Sequence, residues 1–101
     1  MMDFNSLLIE SVDETISGIL GRTILEATYR FLAKDRGITK EHIPDRLDEF
    51  DTALVRMFGV GGMTLSRAIA KTLCSKLGLE FVPVRDKRLV DYVEEAKERL
   101  R

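Results

Sequence analysis

Apolar residues recur at helical spacing along most of the 101-residue chain. Ser11 and Glu14 match a capping box, which predicts a helix that begins at Ser11. Gly37 is the predicted end of that helix, and Gly18 and Gly21 indicate a bend or a close helix crossing within it. One face of the helix is formed by apolar residues three or four positions apart: Ile16, Leu20, Ile24, Ala27 and Phe31.

Two short segments flank this helix. Residues 7–9 are apolar, with Asp3 or Asn5 as a cap, and they can extend the helix towards the N-terminus or form a strand. After the helix, Thr39 is the predicted cap of a short turn. This turn ends near Pro44, because proline lacks the N–H group that a helix interior needs.

Two further helices are predicted in the middle of the chain. The first is capped by Asp45 and ends at Gly59, and the second is capped by Thr64 and ends at Gly78. Residues 60–62, Val-Gly-Gly, predict a flexible link between them. Each helix has an apolar stripe: Leu47, Phe50, Leu54 and Met57 in the first, and Leu65, Ile69, Leu73 and Leu77 in the second.

The C-terminal part combines an extended segment with a last helix. Residues 79–84 alternate in polarity and include a proline, which predicts a linker or a single edge strand. Asp86 is the predicted cap of a helix over about 86–100, whose apolar stripe must pack on this bundle or on a second copy of the chain. The predicted contacts of such a homodimer are Phe81, Val84, Leu89, Val93 and Leu100.

Together these segments predict an all-α fold, a compact bundle of four to five helices with a short extended segment near residues 79–84. The length and the mass of 11.5 kDa correspond to one domain, residues 1–101, and we expect its core within residues 11–78. Hydrophobic residues make up 45% of the chain and charged residues 33%. These globular values argue against a wholly disordered chain.

Charge is divided unevenly between the two halves of the chain. Residues 1–50 carry 10 acidic and 6 basic side chains, whereas residues 51–101 carry 7 acidic and 10 basic ones. The net charge of −1 argues against a domain that binds nucleic acid through overall positive charge. However, residues 52–79 contain no acid and hold four basic residues: Arg56, Arg67, Lys71 and Lys76.

The acid-free stretch also holds the candidate binding residues. A glycine-rich turn before a helix can present backbone N–H groups to an anion, and four side chains could assist: Thr64, Ser66, Arg67 and Lys71. A P-loop or a Rossmann site is excluded, because the sequence has neither motif. The simpler alternative is a solvated helix face. A third interpretation is a DNA-binding helix-turn-helix, although the chain has one Asn and no Gln for base recognition.

Residues for catalysis or metal binding are scarce. His42 is the only histidine and Cys74 the only cysteine, so an intrachain disulfide and a cysteine-rich metal site are excluded. Neither residue has a neighbour suited to nucleophilic catalysis, and we expect no enzymatic activity and no cofactor. The sequence shows no signal segment and no apolar run long enough to span a membrane, so we expect a cytoplasmic protein without a membrane partner.

Several of these features form a combination known from one protein family. They are Leu20-Gly21, Tyr29-x-x-Leu32, Gly37-Ile38-Thr39-x-x-x-Ile43-Pro44, Phe50-x-x-x-Leu54, Met57-Phe58-Gly59-Val60-Gly61-Gly62 and Ile69-x-x-x-Leu73-x-x-x-Leu77-Gly78-Leu79. With them the chain resembles a small helical family of archaea, whose members occur alone or as output domains of signal-transduction proteins. Ser66 stands where that family has an apolar or acidic residue. The resemblance implies an all-helical fold and an accessory or regulatory role, and it implies no catalytic residue.

These observations favour a non-enzymatic regulatory or protein-interaction module. Its expected partner is a second copy of the chain or another protein. The alternative is a DNA-binding protein that uses the predicted helix over residues 64–77.

Overall fold

The fold consists of helices joined by short connections. The computed structural model describes residues 3–101, and over that range it shows six helices and no strand. The helices are α1 (Phe4–Leu20), α2 (Arg22–Arg36), a 3₁₀ helix (Lys40–Asp45), α3 (Leu47–Phe58), α4 (Val60–Leu77) and α5 (Leu89–Arg99). The radius of gyration is 12.6 Å, close to the roughly 13 Å of a compact 100-residue domain. The all-α prediction is confirmed.

α4 lies at the centre of the bundle, in contact with α1, α3 and α5. A helix with three helical neighbours must be apolar or small on more than one side. α4 has two buried rows at the same spacing, Leu65, Ile69 and Leu73 in one and Gly62, Ser66 and Ala70 in the other. The core extends beyond residues 11–78, because Leu8 of α1 and Leu89 of α5 are fully buried in it.

The first helix begins earlier and ends earlier than the sequence pattern predicts. Asp3 caps it, since its carboxylate accepts a hydrogen bond from the N–H of Ser6 at 2.7 Å. The capping box at Ser11 was wrong: this residue is buried within α1, and its hydroxyl donates to the carbonyl of Leu7 at 2.7 Å. α1 ends at Gly21, which has a φ of +91°, a conformation that favours glycine. The predicted single helix is therefore two helices.

The turn between α3 and α4 is a single residue. Gly59, with a φ of +62°, ends α3 as predicted, but α4 begins at the next residue, so the predicted flexible link is helical and Thr64 lies inside α4. The predicted cap Asp45 belongs to the 3₁₀ helix and does not cap α3. A Cβ on Gly62 would lie 2.4 Å from the carbonyl oxygen of Leu54. The two helices therefore touch backbone to backbone at this glycine.

The segment before α5 is extended and packs on that helix. Residues 79–84 form no strand within the described part of the chain. The hydroxyl of Tyr92 accepts a hydrogen bond from the N–H of Val84 at 2.9 Å, and its ring lies 5.2 Å from that of Phe81. Asp86 has a φ of +66° and lies in a turn, so it does not cap α5. α5 itself packs on α3 and α4.

Replacement of Gly62 by alanine should destabilise the protein strongly. The added methyl would have to push α3 and α4 apart, and we expect the free energy of unfolding to fall by about 2–3 kcal/mol. Gly61→Ala is the matched control, because a Cβ there would have only Phe58 near it, at 3.8 Å. Urea unfolding should show this control unchanged or more stable by up to about 1 kcal/mol. Equal effects of the two substitutions would contradict the close helix contact.

Candidate functional site

One carboxylate is buried at the junction of α3, α4 and α5. Asp51 of α3 is only 4% exposed. Its Oδ1 accepts a hydrogen bond from the hydroxyl of Ser66 at 2.7 Å, and its Oδ2 accepts one from the N–H of Val90 at 3.1 Å. The Ser66 oxygen in turn accepts a hydrogen bond from the N–H of Leu89 at 2.9 Å.

These bonds provide hydrogen-bond acceptors for the N–H groups at the N-terminus of α5. The first N–H groups of a helix have no partner in the helix itself, and Leu89 and Val90 are the first two residues of α5. Because α5 has no side-chain cap that accepts from these groups, Asp51 and Ser66 supply the missing acceptors from α3 and α4. A carboxylate there also interacts favourably with the dipole of α5.

Burial changes the acidity of Asp51. Loss of solvent raises the pKa of this carboxyl above its usual range. The hydrogen bonds that Asp51 accepts from Ser66 and from the N–H of Val90, together with the nearby N–H of Leu89 and the charge of Arg88, lower the pKa but do not cancel the effect of burial. Ionised Asp51 therefore carries a desolvation cost, which these contacts partly offset.

A pocket of about 220 Å³ opens beside the buried carboxylate. α3, α4 and the segment before α5 each contribute to its walls. Val55 and Met63 are its apolar walls, and they are 45% and 37% exposed. Its lining residues are Asp51, Thr52, Val55, Gly62, Met63, Ser66, Lys87 and Arg88. The pocket is thus mainly apolar inside, with two basic residues on the α5 side.

The two basic residues that line the pocket are paired, whereas three basic residues elsewhere on α3 and α4 are not. Arg88 pairs with Asp48, and Lys87 pairs with Glu95. Within the described residues, by contrast, three basic side chains of the acid-free stretch form no ion pair: Arg56, Arg67 and Lys71. The Nε of Arg67 is in addition buried without a hydrogen-bond partner.

The four residues predicted to bind an anion or nucleic acid do not all lie on one surface of the structure. Thr64 and Lys71 are exposed on α4, and Arg67 is half-buried next to them. Ser66 is 4% exposed and bonded to Asp51, so it does not belong to that surface. The prediction failed for Ser66 because this residue belongs to the small-residue row of α4, which faces α3 and α5.

Of the residues predicted to form a homodimer contact, likewise, only some are exposed. Leu89 and Val93 are buried in the core of their own chain, so they are not available to a partner. Phe81 is half-buried against Tyr92. Only Val84 and Leu100 remain exposed. The apolar stripe of α5 is buried within the chain.

A second polar cluster joins the first helices on the other side of the bundle. The hydroxyl of Tyr29 donates to Asp13, and Lys40 pairs with the same carboxylate at 2.9 Å. Burial and the hydrogen bond to Asp13 raise the pKa of Tyr29, which keeps the phenol neutral. Lys76 of α4 contacts carboxylates of α1 at 2.7 Å. These contacts tie α1 to α2, to the 3₁₀ helix and to α4.

The two residues considered for catalysis do not form a site. His42 is exposed in the 3₁₀ helix, with the Thr39 hydroxyl 3.3 Å from its Nδ1. Cys74 is buried, and burial raises the pKa of its thiol. Within residues 3–101 no group of three or more His, Cys, Asp or Glu side chains could hold a metal ion. No helix in that range is long and apolar enough to cross a membrane.

Neither Asp51 nor the pocket was predicted from the sequence, although the position of Asp51 on α3 carries a signal. Asp51 lies four residues after Leu47 and three before Leu54, so it lies on the apolar side of α3. An acid at such a position must be paired or hydrogen-bonded when buried. Its partner could not be deduced, because Ser66 and α5 are distant in sequence.

Comparison of the chain with models of protein families, with curated proteins and with solved structures finds no match in any of the three.

The raised pKa of Asp51 predicts a specific pH dependence of stability. The folded state binds the Asp51 proton more tightly than the unfolded state, whose pKa is about 3.8. The contribution of Asp51 to the free energy of unfolding should therefore rise as the pH falls from the raised pKa towards 3.8. We expect the wild type to gain stability relative to Asp51→Asn over this range in urea unfolding. Comparing the two chains cancels the titration of all other groups.

An exposed carboxylate provides the control for that comparison. Asp45→Asn removes one negative charge from a residue without an ion pair among those described. It corrects for the change in net charge. A stability difference between the wild type and Asp51→Asn that stays constant or reverses as the pH falls would show that Asp51 is not held in this environment.

Proposed function

We propose that this chain is a small protein-interaction module that acts by binding rather than by catalysis, and that the pocket between α3, α4 and α5 is its binding surface. The observation that carries the proposal is the cavity of about 220 Å³ with two partly exposed apolar walls, Val55 and Met63. Insertion of apolar side chains into a groove between helices is a common way in which helical proteins bind peptides.

The size of the cavity suits one large side chain. A cavity of about 150 Å³ holds a benzene molecule. A volume of about 220 Å³ therefore has room for one aromatic or branched aliphatic side chain of a partner. Burial of such a side chain would cover Val55 and Met63, whose exposure to water is otherwise unfavourable. The resemblance of the sequence to helical output domains supports a regulatory use of this binding.

A homodimer remains a prediction, but fewer apolar residues are exposed for its interface than the sequence pattern predicts. The homodimer was predicted from the apolar stripe of α5, and that stripe packs on α3 and α4 of the same chain. The exposed apolar residues left in this part of the chain are Val82, Val84 and Leu100. Deletion of residues 85–101 would remove core residues, so oligomeric state is better tested with Val84→Glu.

A photo-activated cross-linking amino acid at position 63 should capture a partner. We expect irradiation of cells that produce the chain to give one predominant adduct, identified by mass spectrometry. The same amino acid at position 19 is the control, because Ile19 is also exposed, at 58%, but lies on α1 away from the pocket. Equal adducts from both positions, or none from position 63, would contradict the proposal.

One observation favours nucleic-acid binding as a second candidate function. Thr64, Arg67 and Lys71 lie three and four residues apart on α4, and the two basic residues form no ion pair within the described chain. Basic side chains of this kind bind phosphate, and the affinity then falls steeply with salt.

Titration of a labelled mixed-sequence DNA duplex tests that second function. If it is correct, binding at low salt should weaken as salt is added and should be lost in an Arg67→Ala/Lys71→Ala double variant. In each single variant, loss of one phosphate contact should lower the slope of log affinity against log salt by about 1. Absence of binding at low salt would exclude it.

A further inference from the structure

We propose that the extended segment ahead of α5, residues 79–84, is the contact surface of a homodimer. In this dimer the segments of two copies lie side by side and antiparallel, paired as the strands of a two-stranded sheet. None of these residues lines the pocket, so the proposal goes beyond the proposed function and does not depend on it. It gives the predicted homodimer a defined surface and a defined register.

The segment is extended and runs antiparallel to α5. The carbonyl of Glu80 accepts a hydrogen bond from Arg99 at 3.0 Å, and the N–H of Val84 donates to the hydroxyl of Tyr92 at 2.9 Å. Along α5, the distance from Tyr92 to Arg99 is about 10 Å. Four positions of extended chain span about 13 Å, whereas four helical positions span only about 6 Å. The two contacts therefore fit an extended segment.

One edge of the segment faces α5 and the other edge is free. In an extended chain, successive residues direct their N–H and C=O groups to opposite edges. The backbone contacts with α5 involve Glu80 and Val84, which are an even number of positions apart and so share one edge. Phe81 and Pro83 direct their backbone groups to the other edge, and these groups form no hydrogen bond within residues 3–101. Unpaired backbone groups on such an edge are a template for a second strand.

The side chains on one face of the segment are apolar and exposed. Val82 and Val84 are 55% and 44% exposed, and residues two apart in an extended chain share a face. The ring of Phe81 packs against Tyr92. Pairing with a second copy of the segment covers the two valines with two identical valines. Cross-strand pairs of β-branched side chains stabilise antiparallel strands.

Proline and charge favour one register. When Val82 lies opposite Val82 of the second copy, the N–H of each Phe81 reaches the carbonyl of Pro83 in the other chain. Proline then serves only as an acceptor, which suits its missing N–H. The same register brings Glu80 beside Arg85 of the second copy. Both of these residues are exposed and form no ion pair within residues 3–101, so opposite charges meet at both ends of the contact.

The two neighbouring registers are less favourable. Pairing of Pro83 with Pro83 brings two carbonyls face to face without an N–H between them. It also places Glu80 opposite Asp86, and like charges directly opposite each other are destabilising. Pairing of Phe81 with Phe81 places Val82 opposite Glu80 instead of opposite a valine. The register centred on Val82 avoids these conflicts.

The pairing stops at two copies. α5 lies along the inner edge of each segment, so a paired segment has no free edge for a third chain. The contact is isologous, because each copy contributes the same residues. Its area is small, since it consists of residues 79–84 of each copy, and we expect a dimer that dissociates at low protein concentration.

Oxidative cross-linking through position 82 tests the proposal directly. In a non-hydrogen-bonded antiparallel pair the two Cα atoms lie about 4.5 Å apart, within the range of a disulfide. Val82→Cys should therefore form a disulfide-linked dimer under mild oxidation by air. Val60→Cys is the matched control, because Val60 is 90% exposed but lies at the start of α4. The wild type controls for Cys74, which is buried. Equal cross-linking at positions 60 and 82 would overturn the proposal.

A mixture of two cysteine variants tests the register. Glu80 lies opposite Val84 of the second copy, so Glu80→Cys mixed with Val84→Cys should give a mixed disulfide dimer, identified by its mass. Either variant alone would have to join cysteines four positions out of register, about 13 Å apart, which is too far for a disulfide. If each variant links to itself as readily as to the other, the antiparallel pairing is wrong.

Sedimentation equilibrium tests the dimer without a cross-link. The wild type should shift reversibly from monomer to dimer as its concentration is raised to the millimolar range. Val82→Asp should weaken the dimer about tenfold or more, because two like charges would lie opposite each other. Val60→Asp should leave the dimer unchanged. A wild type that stays monomeric at millimolar concentration would refute the homodimer and leave the proposed function of the pocket unaffected.

Exchange of the two end charges tests the orientation of the segments. Glu80→Arg and Arg85→Glu should each weaken the dimer about fivefold, since each places like charges at both ends of the contact. The double variant restores opposite charges and should regain most of the wild-type affinity. Losses that add up in the double variant would contradict the antiparallel contact. Each variant is first checked for wild-type helicity and unfolding midpoint.

Discussion

The hydrogen bonds of Asp51 determine where α5 lies. A buried carboxylate is costly in a folded protein, and so are helix N–H groups that lack acceptors. In this chain the buried carboxylate obtains hydrogen-bond donors and the helix N–H groups obtain acceptors from the same contacts. Asp51 and Ser66 accept hydrogen bonds from the first two N–H groups of α5. Apolar burial alone would hold α5 against the bundle without fixing its position. A satisfied polar network selects one position.

The pocket is a consequence of that docking and of the tight contact between α3 and α4. Gly62 lets the two helices approach until the backbone at Leu54 is in contact. The residues just before α5, Lys87 and Arg88, then form the third wall of the cavity. The pocket therefore exists only while the N-terminus of α5 is docked. Stability and the proposed binding depend on the same few contacts.

The sequence predicted the fold class and the ends of helices better than their beginnings. Gly37, Gly59 and Gly78 end helices as predicted, because a glycine with a positive φ terminates a helix through local conformation. The beginnings of α4 and α5 differ from prediction. Thr64 and Asp86 fit the usual cap pattern, but α5 takes its acceptors from Asp51, a residue that is distant in sequence.

In the candidate site, too, the features that depend on local sequence were predictable, and those that depend on distant residues were not. The basic, acid-free stretch over residues 52–79 was visible in the sequence, and Val55, Gly62 and Met63 of that stretch line the pocket. Ser66 was assigned to the wrong face, because its role depends on α3 and α5. The apolar stripe of α5 was correctly recognised as needing a partner, and the sequence left two partners open. In the structure that stripe packs on the same chain.

Hydrogen exchange at the amides of Leu89 and Val90 is the most direct measurement. The first N–H groups of a helix usually exchange quickly, because they have no partner within the helix. If Asp51 and Ser66 accept from them, both amides should exchange as slowly as core amides such as that of Ile69, through opening of the whole fold. Exchange as fast as at the exposed Arg85 would show that the N-terminus of α5 is not held by Asp51.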